Sequence, residues 1–226
     1  MGCMLQSRLK MKRINILADG SCLFYSIDYL MTGIKDDPFA SLKLRHLCID
    51  KIKTDPYFTL DTLGENKTVD DYCQWLEQQT TYGGGNELAI LSKYYEINIV
   101  IISCIVDQPC IVLGIYSPAE KKSNQFIHLL YNGQHYDALV SIDDERIFDD
   151  DRSTGCLELA KIIKEDREKE LKTRKRTKLK CECGSICDSN DDWKNHISDM
   201  HINDEEFNYL CETIELTEIV ANINDE

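Results

Sequence analysis

The chain lacks the features that would send it out of the cell or into a membrane. Its first dozen residues are basic and mixed in character, without the apolar stretch of a secretory signal. The longest apolar run, residues 97–106, is interrupted by Asn98 and Ser103 and is too short to span a bilayer. We therefore expect neither secretion nor a membrane partner.

Basic residues are also scarce relative to acids. The chain has 26 Lys and Arg against 40 Asp and Glu, which gives a net charge of −14 at pH 7. Because non-specific binding to nucleic acid depends on neutralising phosphates, we expect no nucleic-acid partner. The 11 cysteines are odd in number and spread along 226 residues, which favours free thiols in a reducing compartment. We predict a cytoplasmic protein, and the basic run 172–180 makes the nucleus the alternative.

The order of the predicted elements indicates an α+β fold. Apolar periodicity predicts helices at 22–31, 41–52, 69–79 and, with Asn86 as its cap, from 86 onward. Strands are predicted at 97–103, 111–116, 126–131 and 134–140. Asn132-Gly133 is a strong hairpin signal between the last two strands. Helices followed by a largely antiparallel sheet are typical of the α+β class.

The segment ADGSCLFYSI, residues 18–27, places Cys22 at the start of the first predicted helix, behind an Asp19-Gly20 turn. The thiolate is the nucleophilic form of cysteine, and the unpaired backbone N–H groups at a helix start favour an anion. The same groups can stabilise an oxyanion that forms beside the sulfur. Cys22 is therefore a candidate nucleophile, provided that a base lies near it.

His135 is the best candidate for that base. His46 lies mid-helix among charged residues, and His128 alternates within an apolar strand, where histidine is more often a packing residue. His135 instead follows the hairpin turn, and Asp137 lies two residues further along the same face of a strand. A carboxylate in that position can fix the imidazole tautomer. By spacing alone the signal is weak, because Cys, His and Asp often occur together in one domain.

Two motifs, DGSCLFYSI and NGQHYDAL, resemble the signatures of the OTU (ovarian-tumour) cysteine deubiquitinases. Between them, DPYF and YCQWLEQQTTYGGGNELAILSKYYEINIVII resemble the ubiquitin thioesterase OTU-one (YOD) type, so that the similarity covers about residues 14–140. The resemblance implies an OTU papain-like cysteine protease fold. It also implies thiol-dependent hydrolysis of isopeptide bonds at ubiquitin, with ubiquitin and ubiquitinated proteins as partners.

The resemblance also assigns roles to residues. It makes Cys22 the nucleophile, His135 the general base and the backbone of residues 19–22 the oxyanion hole. The third member stays open: Asp19 matches the motif aspartate three residues before the nucleophile, whereas strand geometry favours Asp137 as the residue that orients His135. The alternative role of Asp19 is to form the turn and cap the helix. The residues expected to contact substrate are Gly20, Ser21, Trp75, Tyr82, Gly83, Gly84 and Asn132.

The loop before the fourth helix departs from the family pattern. The family usually has Trp-Gly-Gly there, and this chain has Tyr82 followed by three glycines. Glycines let the backbone of a ubiquitin tail approach closely. Because Tyr82 can still pack in place of tryptophan, we expect activity to be retained with an altered cleft wall. This altered loop is the one sequence feature that supports a second hypothesis. In that hypothesis the chain keeps the OTU fold but only binds ubiquitin or substrate, without catalysis. The subfamily's N-terminal ubiquitin-like domain docks on an AAA+ segregase, and the short segment 1–13 is no counterpart, so that partner is not carried over.

The segment CECGSICDSNDDWKNHISDMH fits a small ββα zinc finger, which the OTU-one subfamily also carries. Twelve residues separate Cys183 from His196, and four separate His196 from His201. Only one residue separates Cys181 from Cys183, which is shorter than usual, so Cys187 is an alternative ligand. We predict a structural zinc held by Cys181, Cys183, His196 and His201 and not needed for the chemistry. The acidic helix region of this finger favours a protein partner and opposes a third hypothesis, a nucleic-acid-binding zinc-finger protein.

Five segments follow from these patterns. They are an N-terminal extension at 1–13, an OTU catalytic domain at 14–145, a charged helical linker at 146–180, a Cys2His2 finger at 181–202 and an acidic tail or helix at 203–226.

Overall fold

The computed structural model of the chain describes residues 10–64, 68–118, 122–174, 179–180 and 186–187. The chain forms two compact units, with the boundary between Glu165 and Asp166. Within the described ranges, no helix is both long and apolar enough to cross a lipid bilayer.

The first unit opens with a short strand and five helices. Their bounds are β1 Met11–Ile14, α1 Cys22–Thr32, α2 Pro38–Thr54, α3 Leu60–Leu63, α4 Val69–Glu77 and α5 Gly85–Tyr95. α2 begins at Pro38 because the Asp37 carboxylate accepts the N–H of Phe39 at 3.0 Å, and proline at the first helical position has no N–H to satisfy. The helices predicted at 22–31, 41–52 and 69–79 are confirmed, whereas β1 and α3 have no counterpart among the sequence predictions.

The start of α5 differs from the prediction. The helix begins at Gly85 with Gly84 as its cap residue, so Asn86 lies inside the first turn and is not the cap. The N–H of Gly84 donates to the Glu87 carboxylate at 2.7 Å. Because glycine has no side chain to cap with, the acid three residues later satisfies the helix entry. This bond ties the glycine run to α5.

Four more strands complete a five-stranded sheet. They are β2 Asn98–Ser103, β3 Val112–Tyr116, β4 Phe126–Tyr131 and β5 Tyr136–Ser141. The spatial order is β1-β5-β4-β2-β3. β2 and β4 run parallel, while the other neighbours are antiparallel, so the sheet is mixed. The predicted hairpin between β4 and β5 is confirmed, and Gly133 adopts a φ of +103° in its turn.

Apolar residues on both faces of the sheet are buried. Along β2, Ile99 and Ile101 pack with the helical layer, whereas Val100 and Ile102 pack against the opposite side. That opposite side is covered by Phe148 and by the beginning of α6, Ser153–Arg174, through Cys156, Leu159 and Ala160. The first unit therefore continues to residue 165, beyond the predicted domain boundary at 145.

In the second unit the structure describes the end of α6 and a short antiparallel ladder. The ladder pairs β6 Leu179–Lys180 with β7 Ile186–Cys187. The predicted zinc ligands Cys181, Cys183, His196 and His201 lie outside the described residues, as does the acidic tail 203–226. For the alternative ligand Cys187, the backbone alone is described.

Candidate active site

The turn before α1 places Cys22 at the first helical position, with Ser21 as the cap residue. The N–H of Cys22 therefore belongs to the first four of the helix, which have no intrahelical acceptor. Gly20 has a φ of +93°, and a Cβ there would lie 2.5 Å from the Thr80 carbonyl oxygen. Glycine is required at this crossing, and the turn delivers a thiol that is only 1% exposed.

Asp19 braces this turn. One carboxylate oxygen accepts the N–H of Ser21 at 2.9 Å, and the other accepts the hydroxyl of Tyr25 at 3.0 Å. Burial, together with this bond to Asp19, raises the pKa of Tyr25, so the phenol stays a donor. These contacts show that Asp19 has the turn-forming role, and the catalytic role predicted for it stays a prediction.

The hairpin between β4 and β5 presents His135. The side-chain oxygen of Asn132 accepts the N–H groups of Gln134 and His135, both at 3.0 Å, and so fixes the tip of the hairpin. Asn132 therefore positions the histidine backbone, and the substrate contact predicted for it stays a prediction.

Asp137 orients the imidazole. Its Oδ1 lies 3.1 Å from Nε2 of His135 and also accepts the N–H of Ile16 at 2.9 Å. Its Oδ2 faces the guanidinium of Arg13 at 3.8 Å. The side chain is 11% exposed and is held from both sides, so it can act as the orienting member of a triad.

Cys22 and His135 come from opposite ends of the first unit and meet at the site. The pKa of His135 is raised to about 10, first by its hydrogen bond to Asp137 and next by its hydrogen bond to Cys22, while burial opposes the rise. Since Nε2 faces Asp137, Nδ1 is the nitrogen left for the thiol. The raised pKa makes the imidazole of His135 a strong acceptor for a proton from the neighbouring thiol, which is the pairing that activates a cysteine nucleophile.

The glycine run forms the neighbouring wall. A Cβ on Gly83 would lie 2.7 Å from the side chain of Leu23, the residue after the nucleophile, so this glycine lets the loop approach α1 closely. Tyr82 is 60% exposed. Its exposure beside this wall is compatible with the predicted substrate contact, which no contact in the structure tests.

Two other residues predicted to contact substrate, Ser21 and Trp75, make contacts inside the protein. The hydroxyl of Ser21 is buried and donates to the Gln79 carbonyl at 3.0 Å, and the substrate contact predicted for this residue stays a prediction. Trp75 is half-buried in α4, with its ring 5.2 Å from that of Tyr72, and its predicted substrate contact stays a prediction.

Sequence reasoning missed Arg45, a fully buried residue of α2 that reaches the Cys22 turn. A signal was present: Arg45 stands beside Leu44 and ahead of Cys48 and Ile52, on the apolar side of an amphipathic helix. An arginine in such a position is expected to have internal acceptors, because an unpaired buried cation is costly.

Within the described part of the chain, no group of three or more His, Cys, Asp or Glu side chains could hold a metal ion.

The part of the chain that contains this site is similar in sequence to known proteins. Ubiquitin thioesterase OTU1 of Danio rerio is 34% identical over 126 residues, which cover 55% of this chain and 40% of that protein. The Homo sapiens protein of the same name is 32% identical over 127 residues, covering 56% of this chain and 35% of that protein. The chain is homologous to these curated relatives but spans only about two-fifths of their length.

The fold matches as well. A solved ovarian tumour (OTU) domain in complex with ubiquitin superposes with a TM-score of 0.58 at 28% identity, covering 69% of this chain and 88% of that chain. The sequence pattern of the OTU-like cysteine proteases matches residues 17–136, which is more than half of the chain and includes both Cys22 and His135. On this match, and with Cys22, His135 and Asp137 assembled in one site, the chain belongs to the OTU-like cysteine protease family.

Proposed function

We propose that the chain is a cysteine deubiquitinase that hydrolyses isopeptide bonds at the C-terminus of ubiquitin. The observation that carries this proposal is the arrangement of Cys22, His135 and Asp137, in which one imidazole is bonded to both the thiol and the carboxylate. Two comparisons support the choice of substrate: the homologues are named ubiquitin thioesterases, and the matched OTU domain was solved with ubiquitin.

The first half of the reaction forms a thioester. His135 takes the proton of Cys22, and the sulfur attacks the carbonyl carbon of the terminal glycine of ubiquitin. The carbon–nitrogen bond of the resulting tetrahedral intermediate then breaks, and His135 gives its proton to the departing lysine amine. Asp137 holds the ring and stabilises its positive charge throughout.

The second half releases ubiquitin. His135 removes a proton from water, the hydroxide attacks the thioester carbonyl, and the carbon–sulfur bond breaks to return the thiol. The free backbone N–H of Cys22 at the start of α1 is the donor that we assign to the oxyanion in both halves. Because Cys22 is almost fully buried, the site suits a narrow, extended tail ending in glycine.

A ubiquitin probe with a C-terminal electrophile tests this function. Full-length chain should form a covalent adduct, and Cys22→Ala should not. Cys73→Ala, which removes another buried thiol from α4, is the matched control and should react like the unaltered chain. Ubiquitin binding without adduct formation or chain cleavage would instead identify the non-catalytic reader, and an adduct with Cys22→Ala would exclude Cys22 as the nucleophile.

We further propose that residues 181–201 hold one structural zinc through Cys181, Cys183, His196 and His201. The support is the ligand spacing together with the β6–β7 ladder, which brackets the two cysteines in sequence as the hairpin of a ββα finger does. The residues that carry the chemistry all lie in the first unit, so zinc would serve folding and not catalysis. Elemental analysis should find one zinc per chain and none in Cys183→Ser with His196→Ala, and both proteins should turn over substrate at similar rates. Retained zinc would refute the ligand set, whereas lost turnover would refute the division of roles.

We propose a reducing compartment, the cytoplasm, as the location. The described cysteines are free thiols, and all but Cys110 are buried, so they serve packing or catalysis in the reduced state. Imaging of the tagged chain tests this location against the nuclear alternative.

A further inference from the structure

Arg45 lies at the centre of the contact between α2 and the two loops that flank Cys22. It is 0% exposed and is among the largest fully buried side chains of the described chain. Its guanidinium carbon lies 4.4 Å from the centre of the Phe24 ring, in the first turn of the helix that carries Cys22. A cation is therefore enclosed directly beneath the start of α1.

The guanidinium gathers oxygens from both loops. From the turn before Cys22, Nη2 bonds the Gly20 carbonyl at 3.2 Å and the Ser21 hydroxyl at 3.1 Å. From the loop after α4, Nη2 donates to the carbonyls of Gln79 at 2.9 Å and Thr81 at 2.6 Å. From the last turn of α4 itself, the Leu76 carbonyl accepts from Nη1 at 3.0 Å. One side chain thus links α2 to the turn before Cys22 and to the loop after α4.

These five acceptors are uncharged oxygens, so no carboxylate forms an ion pair with the guanidinium through these bonds. Burying an ion is costly unless its hydrogen bonds are satisfied, and an apolar side chain of similar size would fill the same space at lower cost. Burial lowers the pKa of Arg45, although Glu87 and Asp19 oppose that change and the group stays charged. What Arg45 contributes and an apolar residue cannot is the direction in which these carbonyls point.

The Gly20–Ser21 peptide is one whose orientation Arg45 fixes in this way. Its carbonyl points to Arg45, and, because the peptide is trans, its N–H points the opposite way, where it meets the Asp19 carboxylate. The peptide is thus clamped on both sides in a segment whose φ at Gly20 is +93°, a conformation reached easily by glycine. The next N–H along the chain is that of Cys22.

We propose that Arg45 is a positioning residue for catalysis, which holds the Gly20–Ser21 peptide so that the Cys22 N–H and sulfur keep their alignment with His135. The inference rests on the proposed deubiquitinase function for its kinetic consequence but not for its structural one. Arg45 touches neither substrate nor the reacting atoms. Its loss should therefore lower kcat and leave KM within about twofold, because only the alignment needed at the transition state is affected.

The test compares three variants of the full-length chain. Arg45→Met keeps the bulk and removes the charge and the donors, and Arg45→Lys restores a cation near the same oxygens. Ile52→Ala, a fully buried site on the same helix, is the control for loss of packing. Two measurements are made on each: turnover of ubiquitin carrying a C-terminal fluorogenic amide, and amide hydrogen exchange in peptides covering residues 18–22 and 78–82.

We expect Arg45→Met to lower kcat about 100-fold with KM little changed, and Arg45→Lys to recover part of that loss. Exchange should rise in both peptides in Arg45→Met and in neither for Ile52→Ala. Equal kcat in Arg45→Met and Ile52→Ala, or exchange that rises alike in both, would overturn the inference. If the unaltered chain turns over no ubiquitin substrate, the proposed function fails while hydrogen exchange still decides the role of Arg45.

Discussion

The imidazole of His135 and the carboxylate of Asp137 share one hydrogen bond, with Nε2 and Oδ1 3.1 Å apart, and the same Oδ1 accepts the N–H of Ile16 at 2.9 Å. Ile16 lies in the segment between β1 and α1, which leads into the nucleophile turn. The carboxylate therefore joins β5 and the adjoining His135 to the segment that leads to Cys22.

Removing this carboxylate should impair chemistry more than folding. We expect Asp137→Ala to lower kcat about 100-fold, because the ring loses its orientation and the stabilisation of its charged form. Asp137→Asn should lose less, since its amide oxygen can still accept from both Nε2 and Ile16. Steady-state turnover of a fluorogenic ubiquitin substrate measures both variants.

The chain contains a matched control for that experiment. His128 and Asp151 form a similar contact, with Nε2 and Oδ1 3.2 Å apart, where β4 meets the start of α6. Asp151→Ala should lower stability and leave kcat unchanged. Equal losses of kcat in Asp137→Ala and Asp151→Ala would show that the first effect is structural and that Asp137 is not the orienting residue.

The two histidines should affect stability at different pH. The pKa of His135 is raised to about 10, so the folded state binds more protons than the unfolded state above pH 6.5. Its stabilising contribution is complete below about pH 6.5 and is lost as pH rises toward about 10. Burial is the largest cause of the lowered pKa of His128. As pH falls below about 6.5, the ordinary pKa of histidine, the unfolded state therefore binds a proton more readily than the folded state, and stability falls.

Urea unfolding followed by circular dichroism between pH 5 and 10 separates these contributions. The stability difference between the unaltered chain and His135→Gln should shrink as pH rises above 6.5. The difference from His128→Gln should change below 6.5 instead. A His135→Gln difference that is constant across the range would contradict the raised pKa.

Gly20 should tolerate alanine less well than another glycine with positive φ. Gly64 has a φ of +73° and open space where a Cβ would lie, so Gly64→Ala should cost about 1–3 kcal/mol from backbone strain alone. Gly20→Ala adds the contact with the Thr80 carbonyl and should cost more, and it should also lower kcat, because the turn must shift. Thermal unfolding and turnover measure both. Equal stability losses would show that the turn shifts enough to relieve the contact with the Thr80 carbonyl.

The sequence was informative where local signals were strong. The Asp-Gly turn, the Asn-Gly hairpin and the two-residue spacing of His135 and Asp137 each reflect short-range geometry, and the structure confirms each element that they indicate. The uncertainty between Asp19 and Asp137 came from long-range contacts. Asp19 finds Tyr25 only six residues along the chain, whereas Ile16, the partner of Asp137, is 121 residues away in sequence and becomes its neighbour only when β1 pairs with β5.

Other features depended on packing that local patterns do not encode. β1 is four residues long and is defined by its pairing with β5 across most of the unit. The parallel pairing of β2 with β4 places β3 outside it, an order that strand periodicity cannot set. Arg45 could be noticed as an arginine on an apolar helix face, but its five acceptors lie 24 to 36 residues away in sequence, in the turn before Cys22, the last turn of α4 and the loop after it.

Tyr82 stands where the family usually has tryptophan, and its exposed ring should contribute binding and not chemistry. We expect Tyr82→Ala to raise KM about tenfold at unchanged kcat, because an aromatic contact made equally in the ground and transition states is lost. Tyr82→Trp should restore KM. Tyr57, which is 67% exposed ahead of α3, provides the control, and Tyr57→Ala should leave both constants unchanged. An unchanged KM in Tyr82→Ala would remove this residue from the cleft wall, and a fall in kcat alone would mean that the glycine run, and through Gly83 the start of α1, had moved.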